Sequence, residues 1–149
     1  MTGITAFMLR RRALREQRVL RILRGLAGTG AAQAEAHAEI TALGGDLRAL
    51  HALHALASRL GEAALEIREP EAQWLSADEV RVLAWLARAQ RKLLPPIAPV
   101  PGRPSTANAE QAARLTAAIC PAAQALCSMG IRLPALAMTN AVALSHRPM

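Results

Sequence analysis

LRALHALHALASRLGEAALEI, residues 47–67, is the stretch on which the fold turns. Leu50, Leu53, Leu56, Ala57, Leu60, Ala64 and Ile67 recur at three- and four-residue intervals and gather on one broad helical face, while Arg48, His51, Ser58, Arg59, Glu62 and Glu66 occupy the other. Asp46 stands where a helix cap is needed, and Gly44-Gly45 separates this helix from an alanine-rich one expected over Ala31 to Leu43. The helix is expected to run to about residue 69, where Pro70 stops it.

Downstream, Ser76-Ala77-Asp78-Glu79 is a capping box, with Leu75 and Val80 positioned as its hydrophobic staple. It predicts a helix from residue 77 to about Leu94, antiparallel to the first. Composition agrees: alanine (34) and leucine (22) exceed a third of the 149 residues, whereas valine and isoleucine total twelve and tyrosine is absent. Alanine and leucine keep their side-chain freedom in helices, and strands favour the residues missing here. The expectation is an all-α protein: a small helical bundle with a basic N-terminal helical arm (residues 1–30), a helical hairpin core (31–94), a proline-rich connector (95–106) and a C-terminal helical segment (107–149). Five prolines mark the connector. The last segment predicts a helix from Ala107 to Met129, kinked or restarted at Pro121 and closed by Gly130, then a final helix from Pro134 to about Leu144. Because an alanine-leucine core buries modest area per residue, a partner or a homo-oligomer could supply further stability.

The charge is concentrated. Arg10, Arg11, Arg12, Arg15, Arg18, Arg21 and Arg24, with Glu16 as the sole acid among them, carry a formal +6 of the chain's +7. Val19, Ile22, Leu23 and Leu26 form a helical stripe behind these arginines. Arg12 and Arg15 fall on the extension of that stripe, which predicts loose first turns, and Gly25, Gly28 and Gly30 are expected to end the element. A basic arm of this kind predicts an anionic partner: nucleic acid, an acidic protein surface or a membrane surface. Arg21 and Arg24 interrupt the apolar run Val19 to Leu26, unlike a secretory signal. The uncharged run Leu115 to Ile131 is shorter than the roughly 20 apolar residues of a membrane span. Cys120 and Cys127, seven apart on one expected helix, read as reduced, buried thiols in a reducing, cytoplasmic setting.

No residue pattern points to catalysis, so the chain is expected not to be an enzyme and to need no cofactor or metal. His37, His51 and His54 lack the spacing of a metal-binding bundle, and Glu62, Glu66 and Glu69 have no nucleophile beside them. Trp85, on a helix face with Arg81, Arg88 and Lys92, is a candidate for stacking on a partner or a base. Met129-Gly130-Ile131-Arg132-Leu133-Pro134-Ala135-Leu136 resembles the turn and second-helix entry of helix-turn-helix DNA-binding proteins, and Leu75 to Leu83 resembles the opening helix of winged-helix regulators. Two readings follow: a non-catalytic interaction or adaptor protein whose arginine arm grips an anionic partner, or a DNA-binding transcriptional regulator with a degenerate helix-turn-helix. In the second, the stretch Pro134 to Leu144 would read the groove without any basic residue.

Overall fold

The computed structural model describes residues 8–93 and 105–138. These hold α1 (Leu14–Ala27), α2 (Ala31–Ala42), α3 (Leu47–Glu62), α4 (Ala77–Gln90) and α5 (Ser105–Ser128), with a 3₁₀ turn at Leu9–Arg11 and no β-strand among the described residues. The all-α expectation holds. Leu94, residues 95–104 of the proline connector, and the part of the expected final helix beyond Met138 lie outside the described residues.

The first helix departs from a free arm. Val19, Leu20, Ile22, Leu23 and Leu26 are all buried in the same core as α3, α4 and α5. Burying a leucine contributes about 2 kcal/mol, so five such residues make α1 part of the bundle. Its helix starts earlier than the apolar stripe alone suggests. Arg12 is buried because its guanidinium is paired with Glu16 one turn on, while Gln17 Nε2 donates to the Arg12 carbonyl at 2.8 Å. Gly25 does not break α1 either. A Cβ there would lie 2.8 Å from Ala36 Cβ and 2.9 Å from the Ala32 carbonyl oxygen, so its bareness lets α1 and α2 approach closely.

The second departure concerns pairing. α3 packs on α5 and α1, and α4 packs on α5, so the helices around 47–69 and 77–94 do not form the expected hairpin; α5 lies against both. The cause is visible at the end of α3, which stops at Glu62 and not near residue 69. Ala64 takes a positive φ of 59°, and Leu65 N–H donates back to the Leu60 carbonyl at 3.1 Å, a Schellman-type closure. Residues 65–69 then leave the helix and are tied to the start of α4. Glu66 N–H donates to Asp78 Oδ2 at 2.7 Å, Arg68 N–H donates to Glu79 Oε2 at 3.2 Å, and Ser76 Oγ–H donates to the Glu66 carbonyl.

The caps form as read. Asp46 Oδ1 accepts from Ala49 N–H at 2.9 Å, Glu79 N–H donates to Ser76 Oγ at 3.0 Å and Ser76 N–H donates to Glu79 Oε1 at 2.9 Å. Leu75 and Val80 are both buried. α5 is continuous through Pro121, and Gly130 closes it with φ 81°.

Side-chain bonds give the bundle a direction. At one end Arg24, near the close of α1, reaches the first turn of α4, and Gln111 in α5 donates to the Glu62 carbonyl at the close of α3. At the other end, Arg15 at the start of α1 donates to the Arg132 carbonyl at 2.8 Å. There Gln90 at the close of α4 donates to the Ile131 carbonyl at 2.8 Å and accepts from Leu133 N–H at 2.7 Å. The turn between α2 and α3 lies at this second end as well, since a Cβ on Gly45 would come within 2.8 Å of Met129 Sδ.

Candidate anion-binding surface

The arginines of residues 10–24 do not act as one surface. Arg24 is the clearest exception, with 1% of its surface exposed. Its Nε donates to Glu79 Oε2 at 2.7 Å and its Nη2 to Glu79 Oε1 at 2.9 Å. Nη1 donates to the Ala72 carbonyl at 2.8 Å and Nη2 also to the Trp74 carbonyl at 3.0 Å. A bidentate pair with every donor nitrogen engaged is the form in which a buried charge is tolerated. Arg24 and Arg12 are therefore corrected from anion-binding candidates to internal ion-pair partners, because neither guanidinium reaches solvent.

The remaining five arginines divide again. Arg18 pairs with Glu39 of α2 at 3.5 Å. Arg21 is exposed and lines an open groove of about 430 Å³ between α1 and α2, whose walls also carry Glu35 and Glu39. Arg10 and Arg11 are exposed on the 3₁₀ turn, which is anchored where Leu9 N–H donates to the Gln73 carbonyl at 2.8 Å. Arg15 is exposed and belongs to the end of the bundle where Arg132 lies.

That end was not legible as a cluster in the linear sequence. Outside residues 10–24 the chain is close to neutral only in sum: residues 25–79 carry nine acids against three arginines, and residues 80–149 carry eight basic residues against the single acid Glu110. Folding leaves one end of the bundle poor in acids. Glu62, Glu66, Glu69 and Glu71 are exposed around the close of α3 and the loop before α4. At the opposite end, the segments 13–15, 43–48, 88–93 and 129–138 contain Asp46 as their only acid. Arg15, Arg48, Lys92 and Arg132 are exposed there. Arg91 buttresses the group, donating from Nη1 to the Ala87 carbonyl at 2.9 Å and from Nη2 to the Leu133 carbonyl at 2.8 Å. Its positive charge sits at the close of α4, where the helix dipole is negative.

Of the stacking candidates on α4, Trp85 is half-buried and packed against the core. Arg81 is engaged by Asp78 at 2.7 Å, Arg88 is half-buried and Lys92 is exposed. The stripe is thus a partly covered helix face whose exposed cation Lys92 belongs to the basic end. In the segment resembling a helix-turn-helix, Met129, Ile131 and Leu133 are buried while Arg132 points outward.

His37 and His54 approach with ring centroids 6.4 Å apart, and among the described residues no group of three or more metal-binding side chains is found. Cys120 and Cys127 are exposed, not buried as expected. The inward side of α5 is taken by Leu115, Ile119, Ala122, Ala123 and Leu126, which leaves both thiols on the outer side. No described helix is long and apolar enough to cross a membrane. Comparison with known protein families, characterised proteins and solved structures finds no match for this chain.

Proposed function

We propose that this chain is a non-catalytic helical interaction protein that binds an anionic partner, and that its binding surface is the basic end of the bundle, not α1 as a whole. The observation carrying this reading is that the exposed Arg15, Arg48, Lys92 and Arg132, drawn from four separate parts of the chain, fall at one end of the bundle, on segments whose only acid is Asp46. Cations without neighbouring carboxylates raise the local potential and attract anions over roughly a Debye length, about 8 Å at physiological salt. Arginine predominates, and its planar fork suits phosphate and carboxylate oxygens. The buried pairs of Arg12 and Arg24 contribute stability and orientation, with no part in contact. A direct test measures retention on a sulfated polysaccharide such as heparin across a salt series. The intact protein should be retained at low salt and released as salt rises, and the Arg15→Glu, Arg132→Glu double variant should be released at lower salt. Failure of the intact protein to bind at low salt would contradict the reading.

A further inference from the structure

Among the described residues, the basic end also holds most of the large apolar side chains that the fold leaves in solvent. Leu14 is 80% exposed, Leu47 69%, Leu136 65% and Leu93 46%. Each belongs to this end: Leu14 opens α1, Leu47 opens α3, Leu93 follows the close of α4, and Leu136 follows the turn that binds Gln90 and Arg91. Trp74, the remaining large apolar residue exposed among the described ones, lies in the loop at the opposite end. Three of the leucines have a cation as chain neighbour, in the dipeptides Leu14-Arg15, Leu47-Arg48 and Lys92-Leu93, and Leu136 stands four residues from Arg132.

From this arrangement we infer that the end of the bundle docks on an anionic lipid surface, with the four leucines entering the boundary between headgroups and acyl chains and the cations lying on the phosphates. The inference rests on the anionic-partner reading above and names its partner. Charge complementarity selects the occupant. A nucleic acid would gain from the cations but offers no apolar layer for four leucines, and among the described residues this end supplies no exposed tryptophan, tyrosine or phenylalanine for stacking on bases. An acidic protein would need a matching apolar pocket for each leucine. A membrane interface accepts both kinds of group at once and needs no shape match, because lipids rearrange around the inserted side chains. The sign asymmetry also sets orientation, since the exposed carboxylates of Glu62, Glu66, Glu69 and Glu71 at the far end would be turned away from the lipid.

The test is cosedimentation of the full chain with vesicles of phosphatidylcholine alone and of phosphatidylcholine mixed with phosphatidylserine, alongside binding to duplex DNA and to heparin. We expect partitioning onto the phosphatidylserine vesicles and little onto phosphatidylcholine alone. Each of Leu14→Ser, Leu47→Ser and Leu136→Ser should weaken vesicle binding about tenfold, and Arg132→Glu about fivefold. These side chains are exposed, so thermal unfolding of each variant should match the parent, which separates lost binding from lost folding. Unchanged vesicle affinity in a folded variant carrying all three serine substitutions would overturn the lipid inference. So would binding to DNA or heparin with none to anionic vesicles, an outcome that leaves the anionic-partner reading standing. Binding to none of the three polyanionic surfaces overturns both.

Discussion

Arg24 shows how a single residue can reverse the meaning of a charge run. In the sequence it is the seventh arginine of a cationic arm; in the fold it closes the core by clamping Glu79 and two loop carbonyls. Removing one partner of such a pair leaves a buried charge without compensation, so Arg24→Met or Glu79→Gln should each lower unfolding free energy by about 3–5 kcal/mol. Urea denaturation of both singles and the double variant would check this. The double should cost clearly less than the sum, and strict additivity would contradict direct coupling. The signal was present, since Glu79 was read as a capping residue, but nothing in local spacing joins residues 24 and 79. The cysteines are a second case at this scale. Cys120 and Cys127 are exposed, so both should react with a thiol reagent in the native protein without denaturant, counted by mass spectrometry.

The individual helices were the most legible part of the molecule. Asp46, Ser76, Glu79, Gly44 and Gly130 act on backbone groups within a few residues of themselves, and those ends fall where the sequence placed them. Ser76→Ala should therefore cost about 1 kcal/mol of stability by chemical denaturation, with a further penalty from the lost bond to the Glu66 carbonyl. What local rules missed was decided by contacts distant in sequence. Ala64 could continue a helix by propensity, yet α3 ends before it because the buried Glu79 carboxylate and Asp78 draw in the backbone of residues 66–68. Gly25 reads as a helix breaker and is instead the contact point of α1 with α2. Gly25→Ala should thus destabilise by about 1–3 kcal/mol through overpacking, although alanine favours an isolated helix. A stabilised variant would show that the two helices can move apart freely.

For the whole molecule, the formal +7 is less informative than its placement. The exposed carboxylates of Glu62, Glu66, Glu69 and Glu71 and the exposed cations of Arg15, Arg48, Lys92 and Arg132 fall at opposite ends of the bundle, through the antiparallel course of α1, α2 and α3 and the packing of α5 against both α3 and α4. The basic end with its four exposed leucines emerges only once segments from residues 14, 47, 92 and 132 are brought together, which no periodicity within one helix encodes. The most direct measurement compares two double charge reversals of equal net charge in heparin binding: Arg48→Glu with Arg132→Glu at the basic end, and Arg59→Glu with Arg81→Glu toward the carboxylate end, where both arginines already face acids. The account expects the first to shift release to much lower salt and the second to leave it near that of the intact protein; equal shifts in both would mean that binding follows total charge, and would contradict a localised surface.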